Sequence, residues 1–354
     1  MKNAHGATRT VLAEWMQSSI VERGAVRTTS GSVILFLVSV AAAFAQDPST
    51  DSGPAYPTKT VRMIVPFAPG GATDVLARIV GQKLYERWGQ IVIADNRVGA
   101  SGNIGAEFVA RSAAPDGYTL LVAGAPHAIN MSLFHNLRYD LARDLAPITS
   151  IAAFPSLIAV HPSVPVRSVK DLIALAKARP AELNFGSAGN GSPNHLSMEL
   201  FKTMAKVSMT HIPYKGGSGQ MVSDLLAGQV QLASMGLPPA MPYVKSGRLR
   251  VIAVTGAQRS PLLPAAPTVA ESGLPGYDVN SWYGVFAPPA LSKELVARIN
   301  ADVVAVLGAA DLKERLVSLG AEPQPMTPDE FGRFVRGDIA KWAKVVKESG
   351  ARVD

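Results

Sequence analysis

The chain has no cysteine, which removes disulfide staples, thiolate metal ligands and thiol nucleophiles together. Its compartment must therefore be read from targeting rather than from thiols. Charge is sparse as well: charged residues are 17% of the chain against 47% hydrophobic, a balance that permits large cores and argues against disorder. The formal charge is +7, yet there is no block of basic residues and no basic stripe with interleaved aromatics, so nucleic acid is not an expected partner. No G-x-x-x-x-G-K-[ST] phosphate loop and no H-E-x-x-H occurs, and Gly216-Gly217-Ser218-Gly219-Gln220 fails the G-x-S-x-G elbow at its last position. The histidines are scattered without metal spacing, so neither a metal nor a cofactor is expected.

Long apolar runs are missing too. Val33 to Phe44 is apolar or small except for Ser39, about 12 residues where a membrane span needs about 20. With Arg23 and Arg27 ahead of it and Ala43-Phe44-Ala45 before Gln46, it reads as the core of a cleavable secretory signal peptide over 1–45. The n-region is unusually long, and a true start at Met16 or later would explain it. A polar leader over 46–55 follows, and the folded body begins at Tyr56.

What is present alternates. Val61–Val65, Ile91–Ala94 and Leu120–Ala123 read as strands, and Leu76, Ile79, Val80 and Leu84 recur at helical spacing between the first two. A second set follows with strands at Leu157–Val160, Asn184–Gly186, Thr210–Ile212, Val230–Ser234 and Val251–Thr255. Helices are capped by Ser168 and begin at Pro193. Ser281–Ala287 returns as a strand, and the C-terminus reads as helices over Lys293–Leu307, Asp311–Leu319 and Pro328–Lys347 with Thr327 as N-cap. The proline-rich stretch Pro261–Pro275 is expected to cross between domains. The pattern is α/β with two lobes, the first 56–154 plus 279–354 and the second 155–278.

Two phrases repeat a strand, a glycine-rich loop and a helix start. The first runs through Phe67, Ala68, Gly70 and Gly71 to Asp74; the second through Ser187, Ala188, Gly189, Gly191 and Ser192 to His195. Unpaired N–H groups at a helix start, approached closely past glycine, attract anions. Both loops follow strand ends, where ligands of open α/β sheets sit. Opposed across a cleft, they would hold a small carboxylate. Lys215 either offers charge to that anion or is a solvated lysine, and Trp282 either lines the cleft or packs in the core.

These residues, in order, resemble the Bug-type extracytoplasmic solute receptors of tripartite tricarboxylate transport systems. The carriers run from Pro66-Phe67-Ala68-Pro69-Gly70-Gly71 with Asp74 through Asn96-Arg97, Gly102-Asn103-Ile104-Gly105 and Pro115–Leu121. They continue through Ser187–Ser192 with His195, Pro213-Tyr214-Lys215-Gly216, Pro267–Glu271 and Trp282-Tyr283-Gly284. The resemblance implies a two-lobed periplasmic binding protein of the type II, Venus-flytrap kind, each lobe a mainly parallel sheet flanked by helices. It implies a monomer that grips a carboxylate through the two loops and docks on large and small membrane permease subunits, without catalysis. One departure stands out: where the family often has an aspartate and an asparagine near the cleft, this chain has Met235-Gly236. The expected ligand therefore lacks an ammonium group. A sensory module read by a membrane signalling partner, and an enzyme processing carboxylates, remain as alternatives.

Overall fold

The computed structural model describes residues 56–214 and 218–352; the expected signal peptide, the leader and Lys215 lie outside them. The first sheet holds parallel β1 (Val61–Val65), β2 (Val92–Asn96) and β3 (Thr119–Gly124), with β1 between the other two. β1 is buried at Val61, Met63, Ile64 and Val65, the near-continuous apolar run of a strand covered on both faces. Leu76, Val80 and Leu84 of α1 (Ala72–Trp88) lie in one apolar cluster with Val61, Met63 and Val65. On the other face Ile64 and Leu121 share a core with α2 (Asn103–Arg111) and α3 (Ala125–Leu133).

β4 (Ala146–Val160) is the axis of the fold. Residues 146–155 pair antiparallel with β9 (Asn280–Ala287), which in turn pairs with β3; residues 156–160 pair antiparallel with β7 (Leu232–Gly236) and β8 (Arg250–Val254). The second sheet continues from β7 through parallel β5 (Asn184–Ser187) to β6 (Thr210–Pro213). It carries α4 (Val169–Ala178), α5 (Pro193–Ala205), α6 (Ser218–Leu226) and α7 (Leu237–Lys245). The ladders next to the two glycine loops are parallel, and the strands that run between sheets add antiparallel ones. α8 (Lys293–Leu307), α9 (Ala310–Ser318), the short β10 (Glu322–Pro323) and α10 (Pro328–Ser349) close the first lobe. α10 starts as its sequence demands: Thr327 Oγ1 accepts the Glu330 N–H and the Glu330 carboxylate accepts the Thr327 N–H.

The chain passes between sheets twice, side by side. Pro155 pairs with Asn280 in the first sheet and Ser156 with Gly236 in the second. Thr255 N–H donates to the Ser156 carbonyl at 2.8 Å, and Val279 N–H donates to the Thr255 carbonyl at 2.8 Å. The proline-rich stretch is therefore not itself the crossing. It folds back on β8, where Val254 N–H donates to Pro267 O and Val269 N–H to Val254 O, because Val269 and Leu274 are buried apolar anchors.

Candidate functional site

The first glycine loop leaves β1 and enters α1. Gly70 has φ +85°, and Asp74, one turn into the helix, is 3% exposed. The Asp74 carboxylate accepts Gly70 N–H at 2.9 Å, Asn96 Nδ2 at 3.0 Å and Arg78 Nε at 2.9 Å. The Arg78 hydrogen bond, foremost, holds its pKa down at about 2. Asn96 Nδ2 also donates to Phe67 O at 2.9 Å. Asp74 is thus a strut that fixes the loop from below. The N-cap is Gly71, which has no side chain to cap with. The N–H groups of Ala72 and Thr73 make no hydrogen bond to another described residue, so the positive end of α1 is open to an anion.

Beside this loop, Phe67 packs edge-to-face on His127 at 5.6 Å. His127 lies in the first turn of α3, and its Nδ1 accepts Gly124 N–H at 3.3 Å. Its Nε2 faces Gly102 and has no partner in hydrogen-bond geometry. A Cβ on Gly102 would come within 2.9 Å of both His127 Nε2 and Phe67 Cζ, at φ +91°, so only glycine lets the three close up. Asn130 Nδ2 ties the same turn down, donating to Ser101 O at 2.9 Å and Asn103 Oδ1 at 3.0 Å.

Burial pushes the His127 pKa down to about 4, so the imidazole is neutral when folded. The sign follows. His127 stabilisation is complete above the ordinary value of about 6.5 and is lost as pH falls from there toward about 4, because the unfolded chain binds the proton first. The urea midpoint should fall between pH 7 and pH 4.5, and His127→Asn, which keeps an acceptor for Gly124, should shrink that fall. An equal fall in both proteins would clear His127 of the effect.

The second glycine loop leaves β5. Ser187 is fully buried, and its Oγ accepts Gly189 N–H at 3.1 Å and lies 2.6 Å from His211 Nε2. Gly191 N–H donates to His195 Nδ1 at 3.1 Å, and Ser192 Oγ caps α5 by accepting His195 N–H at 3.3 Å. Asn194 Nδ2 donates to Ser234 O at 2.7 Å, tying the helix start to the end of β7. The N–H groups of Ala188 and Asn190 make no hydrogen bond to another described residue. Gly191 has φ +71°, and a Cβ there would lie 2.6 Å from Leu133 Cδ1. The second loop therefore rests on α3, whose first turn carries His127, the ring on which Phe67 packs. One helix joins the two loops on one side of the molecule.

Several side chains read as facing a ligand do structural work here. Three glycine N–H groups, of Gly70, Gly189 and Gly191, are taken by Asp74, Ser187 and His195. Open donors remain at the neighbouring Ala72, Thr73, Ala188 and Asn190. His195 is 5% exposed, below the loop. Trp282 is core: it is 1% exposed, and its Nε1 donates to Asp338 Oδ2 at 2.7 Å. Met235 pairs with Leu157 across the sheet and is buried with Met221 and Leu225. Phe67 is half-buried, Ala68 and Gly71 exposed. Sequence reading missed His127, Asn103, Asn130 and His211. The local signals for them were that His127 follows a strand end and that Asn103 stands in the Gly102-Asn103-Ile104-Gly105 phrase. Ser187 and His211 have nucleophile–base spacing, but the serine is buried and its oxygen is engaged by Gly189. Among the described residues no group of three or more His, Asp or Glu is placed to hold a metal, and no helix is long and apolar enough to cross a membrane.

Comparison with known proteins places the chain as a whole. Protein BugT of Bordetella pertussis is 38% identical over 304 residues, spanning 85% of this chain and 93% of BugT. The structure of R. palustris Rpa4515 with adipate matches at TM-score 0.69 and 43% identity, over 84% of this chain and 99% of that one. MatC from Rhodopseudomonas palustris with bound malate matches at TM-score 0.66 and 32% identity, over 82% and 100%. Residues 76–351 match the family described as the tripartite tricarboxylate transporter family receptor. The chain, with its two-lobed periplasmic-binding-protein fold, belongs to that family of solute receptors.

Proposed function

We propose that this chain is a periplasmic receptor that captures a small organic dicarboxylate between the open N–H groups of Ala72 and Thr73 and those of Ala188 and Asn190. It then delivers the ligand to a membrane permease with large and small subunits. The observation that carries this reading is the uncapped start of α1, set beside a second donor loop that touches the same helix α3 through Gly191 and Leu133. The mechanism is closure about the paired crossings at 155–156 and 279–280, with residues 56–154 and 279–354 moving against 155–278. No bond is made or broken. The ligands of the two R. palustris relatives, adipate and malate, are both dicarboxylates, and two separated donor loops suit an anionic group at each end.

Among the described residues, the carboxylates near the two loops are already engaged and offer no acceptor for a cation. Asp74 is saturated by Gly70, Asn96 and Arg78, and Glu199 is engaged by Lys202 at 2.7 Å. Met235 is buried away. An ammonium group would lose its water without gaining a partner. Calorimetric titration with succinate, glutarate, adipate, malate, aspartate and glutamate tests both points. Binding of plain dicarboxylates is expected, with the amino acids weaker by about a hundredfold or more. Silence across the whole panel would sink the receptor reading, and preference for the amino acids would sink the statement about charge.

A further inference from the structure

Beneath the second donor loop lies a stacked pair of imidazoles that no binding role has yet absorbed. The His195 and His211 rings lie 3.8 Å apart at 13°, and His211 continues the stack onto Phe185 at 4.9 Å. Each ring holds one end of the loop. His211 meets Ser187 Oγ, whose other contacts are the N–H and C=O of Gly189. His195 Nδ1 accepts the N–H of Gly191. The loop between, residues 188–190, carries the open donors of Ala188 and Asn190. We infer that His195 and His211 are positioning residues that set the shape of the anion-binding loop, and that protonation of His195 at Nδ1 lets the loop go, making ligand grip weaken in acid.

The chemistry is specific. An imidazole accepts the Gly191 N–H at Nδ1 only while that nitrogen is bare, so the proton of the neutral ring sits on Nε2. That Nε2 lies 3.5 Å from Glu199 Oε1. A second proton must go to Nδ1, and it turns the acceptor into a donor aimed at another donor. Gly191, at φ +71°, then has no side-chain anchor, and Leu133 alone holds it against α3.

The charged surroundings are few. On α5 itself Glu199 and Lys202 face the pair, with Lys202 Nζ 2.7 Å from Glu199 Oε1. On β6 the only titratable neighbour is His211. The β5 and β7 strands carry no titratable side chain. Among the described residues, no side chain of α10, which packs on α5, bonds or ion-pairs with either ring. Burial, and then the charge of His195, push the His211 pKa down to about 4. Two rings this close cannot both carry charge easily, and a proton taken on Nδ1 of His195 costs the Gly191 bond.

This inference rests on the receptor reading, and its test separates the two. Amide exchange of Gly191 is measured by NMR in the ligand-free protein, beside titration with the tightest-binding dicarboxylate of the panel. His195→Phe keeps a ring in the stack but removes the acceptor. It should raise Gly191 exchange and weaken binding by about tenfold or more, the worth of one hydrogen bond. His195→Asn keeps an oxygen acceptor that does not titrate. Between pH 7 and pH 5 it should lose about fivefold less affinity than the native chain does. Since both proteins meet the same ligand ionisation, that difference belongs to the histidine. A native-like Gly191 amide in His195→Phe, or the same acid loss in His195→Asn as in the native chain, overturns the inference. If His195→Phe does not fold, the Asn comparison still decides. If nothing in the panel binds, the receptor reading fails, while the Gly191 amide still reports whether the rings anchor the loop.

Discussion

Asp74→Ala will weaken dicarboxylate binding by about tenfold to a hundredfold and lower stability by about 2 kcal/mol. The carboxylate is the one group that touches Gly70, Asn96 and Arg78 together. Without it Gly70 loses the bond that holds its left-handed turn, and Asn96 keeps its bonds to Phe67 O and from Arg78 Nη2. Arg78, whose side chain is 53% exposed, re-solvates cheaply, so the stability cost stays moderate. The binding cost is larger because the loop must be ordered when the ligand arrives. Asp74→Asn, which keeps one oxygen for Gly70, should fall between the two. Titration of both variants with the tightest dicarboxylate, beside urea denaturation, reads the two effects separately. Native affinity in Asp74→Ala would mean that backbone geometry alone shapes the loop. The same carboxylate predicts acid behaviour. Its folded pKa of about 2 lies below the ordinary value of about 3.8, so its contribution is complete above the ordinary value and disappears as pH falls through about 2.

Much of the fold was legible because its parallel strands and amphipathic helices have strong periods. β1 and α8 fall where their patterns put them, and α4 and α10 begin at the predicted caps Ser168 and Thr327. Among the elements that escaped, three did so for definite reasons. The first ten residues of β4 contain Pro147 and Pro155, which read as breaks. In the structure one sits at a register shift against β9 and the other at the change of sheet, places where a missing N–H is tolerated. α3 is buried on nearly every side, so it shows no polar face to give a period. α7 opens Leu237-Pro238-Pro239 and contains Pro242. Prolines are allowed in a first turn, but from sequence they signal a loop.

The two glycine loops were legible as backbone, while the contacts of the side chains on them were not. The two glycine loops stand at the ends of β1 and β5, where the alternation of strand and helix placed them. A sequence does not say whether a polar residue one turn into a helix faces outward to a guest or back toward its own loop. Asp74 and His195 both turn back, each onto a glycine four residues earlier. That shared spacing of four was the available clue, since it brings a side chain level with the preceding loop. Trp282 illustrates the other difficulty: its partner Asp338 is 56 residues away, and no local pattern announces it.

Asp338→Leu will cost about 3–5 kcal/mol of stability, the largest loss of any single change considered. Asp338 is 5% exposed. One of its oxygens accepts two indole N–H groups, from Trp282 at 2.7 Å and Trp342 at 3.0 Å, and the other lies 2.7 Å from Lys341 Nζ. Leucine fills the volume but leaves both indoles, each 1% exposed, with a buried donor and no acceptor. Lys341 also donates to Asp278 O at 3.0 Å, one residue from the return crossing at 279–280. The carboxylate therefore fastens α10 to β9 and, through Lys341, to the segment about which the lobes would close. Asp338→Asn retains an acceptor oxygen and should lose about half as much. Urea unfolding followed by tryptophan fluorescence gives the numbers, and a leucine variant within about 1 kcal/mol of native would show that the indoles find other partners. Below its unfolding transition Asp338→Leu should still bind the tightest dicarboxylate nearly as the native chain does, because no donor of either loop depends on this carboxylate. Asp74→Ala should show the reverse order of effects, and that opposition separates a residue that shapes the grip from one that holds the frame.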